Sequence, residues 1–223
     1  MESQFNMSQL TFKFPFKTTY YENDFYVSSN NFEAYKLLES WPEWPSRNVN
    51  IFGPNGCGKT HLSNILKKKI SSLFIEASDF NNDSLKKLKS KECLIIDNYK
   101  NNIEEKLLYT TLNEINQTNQ YIVINSLNSI KTSKVVLNDL KSRFASFVDL
   151  GIKLPTDDLL RVILTKSFSD KQIKVNVKTL EYILNNVDRS YEKIFEFIKE
   201  VDSESLSTGK SININLIKKV LNR

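Results

Sequence analysis

The chain has 223 residues and a formal net charge of +5; 40% of its residues are hydrophobic and 26% charged. Such a composition supports a sizeable core and excludes collagen, low complexity and a mainly disordered chain. Two Cys and one His leave no disulfide framework, no His-rich zinc site and no Ser-His-Asp triad.

Residues 1–24 show no helical period. They lack a basic segment followed by an apolar run, so no signal peptide is read there, and nowhere does the chain approach ~18 consecutive apolar residues. A soluble, cytoplasmic protein with no membrane segment is expected. Polar and aromatic residues alternate through Gln9-Leu10-Thr11-Phe12-Lys13-Phe14, which predicts an extended arm over 1–19. Such a peptide can set Gln9 at a pocket rim and use Leu10, Phe12 and Phe14 as apolar anchors. The alternative is that these aromatics pack on their own domain or sit in a frayed arm. Residues 30–40 put Phe32, Tyr35, Leu37 and Leu38 on one helical face, with Asn30 or Asn31 as N-cap, and Pro42 and Pro45 break that helix.

A strand–helix alternation begins there. Residues 49–52, 73–76, 93–97 and 121–125 read as strands, with 147–150 as a candidate fifth. Helices are predicted from about 60 to 70 and over 102–119. The strands are near-continuous apolar runs, as expected of a parallel sheet covered on both faces. After Pro155 the pattern is helical, over 157–168, 177–186, 189–204 and 215–221, and predicts a small satellite. The expected boundaries are an arm over 1–19, an α/β domain over 20–154 and a helical domain over 155–223.

Gly53-Pro54-Asn55-Gly56-Cys57-Gly58-Lys59-Thr60 fits G-x-x-x-x-G-K-[ST] without a mismatch, between a predicted strand and a predicted helix. Gly53, Gly56 and Gly58 let backbone N–H groups converge on phosphate oxygens, and the helix N-terminus adds partial positive charge. Lys59 is placed to bridge the β- and γ-phosphates. The Thr60 hydroxyl is placed to hold Mg²⁺, with Asp97, at the carboxyl end of Leu94-Ile95-Ile96, reaching the ion through water. Asn98 follows where an acid would activate the attacking water, and an amide cannot accept that proton. The site therefore reads as better suited to holding nucleotide than to cleaving it. Cys57 reads as a small packing residue of the loop, and His61 as a supporting residue rather than a base. Only five of the 31 basic residues are Arg. Specific nucleic-acid readers lean on Arg forks, so the Lys excess reads as a solvated surface, with direct DNA binding weak or absent.

Gly58-Lys59-Thr60-His61-Leu62, together with Asn23-Asp24-Phe25-Tyr26-Val27-Ser28-Ser29-Asn30-Asn31, resembles the DnaA branch of the AAA+ ATPases. Leu140-Lys141-Ser142-Arg143-Phe144 is similar to that family's arginine-finger box. Pro155-Thr156-Asp157 resembles the opening of its lid, and residues 210–221 the lid's last turn and helix. The resemblance implies a P-loop AAA+ nucleotide domain with a small C-terminal helical lid, holding ADP or ATP with Mg²⁺. Phe25, Tyr26 and Val27 would flank the adenine. The first sensor would fall near Asn125 or Ser126. Glu192 stands where the lid's sensor arginine is expected, and Arg189, one turn earlier on the predicted helix, is the candidate replacement.

The initiators continue into a helix-turn-helix domain beyond the point where this chain ends, so the shorter Hda-like architecture is expected. The neutral Asn98, the arm and Trp41-Pro42-Glu43-Trp44-Pro45 resemble Hda-like regulators, the last of these the alphaproteobacterial ones. That resemblance implies two partners. One is the DNA polymerase sliding clamp, gripped through Gln9, Leu10, Phe12 and Phe14. The other is ATP-bound DnaA, whose hydrolysis Arg143 would stimulate in trans, inactivating it. The resemblance also leaves a homo-oligomer open. Retained Lys59, Thr60 and Asp97 keep a second class open, a self-contained DNA-remodelling ATPase such as a DnaC-like helicase loader.

Overall fold

A computed structural model describes residues 25–173, 175–208 and 212–221; the expected arm lies outside them. The described residues fall into two compact units that divide between Leu154 and Pro155. The first runs α1 (Phe32–Glu39), β1 (Asn48–Phe52), α2 (Lys59–Lys69), β2 (Ser72–Glu76), α3 (Asn82–Leu88), β3 (Cys93–Tyr99), α4 (Glu105–Gln117), β4 (Tyr121–Ser126), α5 (Asn138–Ala145) and β5 (Val148–Gly151). Its five strands form one sheet in the order β2-β3-β4-β1-β5, and every pair is parallel. Parallel neighbours need crossovers, and the helices supply them.

Strand periodicity assigns each side chain a face. Leu94, Ile96, Ile122 and Ile124 join Leu108, Leu112, Ile115, Phe144 and Phe147 in one core under α4 and α5. Asp97 and Asn125, on the alternate positions, turn the other way and bond to Thr60 and Ser63 of α2. The alternation is broken once. Ile96 pairs with Ile124, but Tyr99 pairs with Ser126, so β3 carries one extra residue there. Asn98 at this bulge has φ of 56°, a left-handed conformation that Asn tolerates better than most residues. Beyond the bulge the parity is reversed, and Tyr99 points into the same core as Leu94 and Ile96, edge-on to Phe144.

Two helices of this unit have no counterpart in the sequence prediction. α3 offers few apolar residues but has a capping box: Asn81 accepts from Asp83 N and Ser84 N, while Ser84 Oγ accepts from Asn81 N. α5 buries Leu140 and Phe144, four residues apart on one face. The loop before it is fastened to α4 by Glu105, whose carboxylate accepts from Val136 N and Leu137 N. Inside β1, buried Asn50 donates to Ile124 O and Ser126 Oγ and accepts from Ile130 N. This holds the turn that follows β4.

The second unit comprises α6 (Asp157–Asp170), α7 (Val177–Asn186), α8 (Tyr191–Thr208) and α9 (Ile214–Leu221). Leu160, Leu164, Phe168, Ile183, Ile194, Ile198, Val201, Ile217 and Val220 form a core of its own. Thr156 and Asn176 cap α6 and α7 by accepting from Leu159 N and Thr179 N. Among the described residues no helix is long and apolar enough to cross a membrane.

Candidate nucleotide-binding site

β1 ends at Phe52 and α2 begins at Lys59, so residues 53–58 form the turn between a buried strand and a helix N-terminus. Gly58 has φ of 99°, and a Cβ there would stand 2.8 Å from Phe25 Cε2. The Phe25 ring thus lies directly on the loop, stacked on Tyr35 and edge-on to His61 at 5.4 Å. A Cβ on Gly53 would stand 2.5 Å from the Ile152 carbonyl oxygen. Both positions are closed to a side chain, and the loop backbone stays bare. Lys59 Nζ donates to two loop carbonyls, Gly53 O at 2.7 Å and Pro54 O at 3.0 Å. The ammonium is therefore held over the turn that leads into the helix N-terminus, where an anion is favoured.

Thr60 Oγ1 donates to Asp97 Oδ2 at 2.7 Å, and Asn125 Nδ2 donates to Asp97 Oδ1 and Ser63 Oγ, both at 2.8 Å. Asp97 is wholly buried, and β3 and α2 bring it to the first turn of the helix. A hydroxyl and a carboxylate in contact at the foot of a bare-backbone loop are the hard oxygen donors that Mg²⁺ takes beside substrate phosphates. The residues present thus fit both a phosphate chain and its metal. Asn125 Oδ1 is buried without a hydrogen-bond partner, which leaves an acceptor at this network.

Cys57 is buried in the loop. Burial pushes its thiol up, and the neighbouring Lys59 ammonium only partly offsets this. It packs as a neutral thiol, 3.1 Å from where a Gly53 Cβ would stand. Tyr26 is half exposed and its carbonyl accepts from Asn31 Nδ2, while Val27 is partly buried. Gln9, Leu10, Phe12 and Phe14 lie outside the described residues. Arg143 sits in the last turn of α5. Arg189 belongs to the helical unit, and its expected place on a helix needs correction. α8 starts at Tyr191, because Ser190 Oγ accepts from Lys193 N and caps it there. Arg189 therefore precedes the helix and pairs with Asp157 at 3.2 Å. Sequence reasoning missed one contact at the edge of the site. Asn98 Nδ2 donates to Glu76 Oε2 at 2.9 Å.

A parallel five-stranded sheet with a phosphate loop after its fourth-ranked strand, flanked by helices, is a P-loop AAA+ arrangement, and solved structures agree. The chain is similar to domain III of the Thermotoga maritima replication initiation protein DnaA, with a TM-score of 0.78 at 20% identity, covering 94% of this chain and 98% of that one. It is also similar to the AMPPCP-bound DnaA of Aquifex aeolicus, with a TM-score of 0.66 at 20% identity over 84% of this chain and 66% of that one. The Thermotoga maritima RuvB Holliday junction branch migration motor gives a TM-score of 0.61 at 20% identity, over 78% and 61%. The fold is that of the AAA+ P-loop proteins with a helical lid.

By sequence, the chain is similar to DnaA proteins. It is 28% identical to the chromosomal replication initiator protein DnaA of Borrelia garinii subsp. bavariensis, covering 95% of this chain and 55% of that protein. It is 24% identical to the Helicobacter pylori protein of the same name, over 99% and 54%. The chain thus spans about half the length of the curated relatives it matches. Two family models match parts of it, one described as "Hda, lid domain" over residues 157–221 and one as "RNA helicase" over 49–138.

Proposed function

We propose that this chain is a nucleotide-bound regulator of replication initiation of the Hda kind, which docks on the sliding clamp and stimulates ATP hydrolysis by DnaA. The observation that carries the reading is the lid: residues 157–221 match the Hda lid model, in a chain that also carries an intact phosphate loop. In this reading residues 20–154 are the nucleotide domain, 155–223 the lid and 1–19 the clamp-binding arm.

Adenine nucleotide, ADP or ATP, takes the loop. Backbone N–H groups from Gly56 to Thr60 hold phosphate oxygens, with Gly53 and Cys57 completing the turn. Lys59 exchanges its neutral loop carbonyls for the anionic oxygens of the β- and γ-phosphates, which are stronger acceptors for an ammonium. Thr60 and Asp97 would hold Mg²⁺, which when bound would neutralise phosphate charge. Phe25, Tyr26 and Val27 flank the adenine, with His61 supporting Phe25, and Arg189 is the candidate for the lid's sensor arginine. Gln9, Leu10, Phe12 and Phe14 enter the clamp. Arg143 reaches the γ-phosphate held by DnaA, where such a finger is worth about 10³–10⁵ in rate.

The test is ATP hydrolysis by DnaA in the presence of DNA-loaded clamp, with and without this chain. Clamp-dependent acceleration is expected. If DnaA is unaffected while this chain alone turns over ATP briskly, the regulator reading fails and a DNA-remodelling ATPase of the helicase-loader type replaces it.

A further inference from the structure

The bulge in β3 turns Asn98 onto a second carboxylate, Glu76, which shares a cavity with Asn55 of the phosphate loop. Glu76, the last residue of β2, is in register with Asp97, so both side chains leave the sheet on the α2 face. Asn98 should by alternation point to the opposite face. Its φ of 56° and the extra residue in the ladder turn it instead toward β2. There its amide donates to Glu76 Oε2 at 2.9 Å. Glu76, Asn98 and Asn55 of the loop line one cavity of about 450 Å³, with Ser78, Lys100 and Asn102. The position after Asp97 thus lacks an acid in the sequence. In the fold, a carboxylate is hydrogen-bonded to that position from the next strand.

We propose that Glu76 is the catalytic base for ATP hydrolysis by this chain, with Asn98 as its positioning residue. The proposal rests on the nucleotide reading above and deepens it. Asn98 occupies one carboxylate oxygen through its N–H and fixes the other toward the cavity beside the loop. A water in that cavity forms its new O–P bond to the γ-phosphorus and passes a proton to the free Glu76 oxygen. The bond from the γ-phosphorus to the bridging oxygen breaks, and its electron pair leaves with ADP. Inorganic phosphate is the second product, and Glu76 returns its proton to solvent. A carboxylate accepts a proton as an amide cannot, so the pair divides between two strands what one acidic residue after Asp97 would do alone. The slow turnover expected from Asn98 alone is revised accordingly.

The experiment is single-turnover hydrolysis of Mg-ATP by the full chain, run beside thermal-shift titrations with Mg-ATP and with the non-hydrolysable analogue AMPPCP. Glu76→Gln keeps the shape and the contact to Asn98. It should lower the rate by roughly 10²–10⁴-fold while both thermal shifts persist. Glu76→Gln combined with Asn98→Asp moves the carboxylate across the same hydrogen bond, to a residue type that also tolerates the left-handed backbone. This swap should recover most of the loss. If the unaltered chain binds ATP but does not cleave it, or Glu76→Gln cleaves at the original rate, the proposal is overturned and the nucleotide reading stands. A swap that binds nucleotide yet turns over no faster than Glu76→Gln overturns it equally. Absence of any thermal shift in the unaltered chain sinks the nucleotide reading and the proposal together.

Discussion

Lys59 and Gly58 act on the loop by different physics, and substitution should separate them. Lys59 spends its donors on Gly53 O and Pro54 O. Lys59→Ala removes two partly buried hydrogen bonds of modest net value, so unliganded stability should change little. The nucleotide is another matter. At about 100 times its dissociation constant, Mg-ADP should stabilise the parent chain by roughly 2.7 kcal/mol, and Lys59→Ala should lose most of that. Thermal melts with and without Mg-ADP measure the difference. At Gly58 the backbone is in a region closed to side chains, and a methyl group would meet Phe25 at 2.8 Å. Gly58→Ala should therefore destabilise the chain even without ligand, by about 1–3 kcal/mol. It should also loosen Phe25 from the loop. An unchanged midpoint in chemical denaturation would contradict this account of the glycine.

At the scale of the element, β3 carries both the acidic end of the site and two buried acids of another kind. Burial holds the Cys93 thiol well above its ordinary value of 9.0, with the Glu92 charge adding to the effect. Burial, helped by Glu105, pushes the Tyr99 phenol up from 10.0 to about 12. In the unfolded chain these groups ionise at their ordinary values; in the fold they do not. Above those values the unfolded state therefore binds fewer protons, and stability falls as pH rises. The contribution is full below pH 9.0, declines from there for Cys93, and declines between 10.0 and about 12 for Tyr99. Urea midpoints measured from pH 8 upward should show the decline, and Tyr99→Phe should flatten its upper part; equal slopes for parent and variant would refute the assignment. The same strand shows what could be read in advance. Its run of Leu94, Ile95 and Ile96 announces a strand buried on both faces, and Asp97 announces its carboxyl end. The bulge was not legible, because it depends on one left-handed residue, and Asn is compatible with many other conformations. Without the bulge neither the inward Tyr99 nor the Asn98–Glu76 contact follows. α3 was hidden for a similar reason, since its capping box, rather than an apolar period, starts it. The start of α8 was available in Ser190, a good N-cap, but was placed two residues early, which moved Arg189 onto a helix.

At the scale of the whole molecule the regulator reading divides labour between two distant pieces of sequence. Residues 9–14 tether, and Arg143 acts. Tethering two proteins to one clamp raises their effective concentration without any new contact between them, so either piece can be removed separately. Gln9→Ala with Leu10→Ala should abolish clamp binding and leave the thermal shift by Mg-ADP intact. In that reading Arg143 performs the second task from α5. α5 is anchored by Leu140 and Phe144 in the core and by Glu105 at its start, while Lys141 and Ser142 are exposed and Arg143 half-buried. Among the described residues its guanidinium forms no ion pair with Asp139 or Asp149, and Asp149 accepts instead from Ser129 Oγ. In the regulator reading this guanidinium serves a phosphate outside the chain. Arg143→Ala should keep clamp and nucleotide binding yet fail to accelerate DnaA, a loss of about 10³–10⁵ in the stimulated rate. Arg143→Lys should fail nearly as badly, since an ammonium cannot supply the planar fork that grips phosphate oxygens. The two failures differ in kind. Higher concentrations of protein should rescue the arm variant, because tethering only replaces concentration, but not the Arg143 variants. Hydrolysis of ATP by DnaA, followed over a range of concentrations of each variant, distinguishes them; full stimulation by Arg143→Ala would remove this residue from the mechanism.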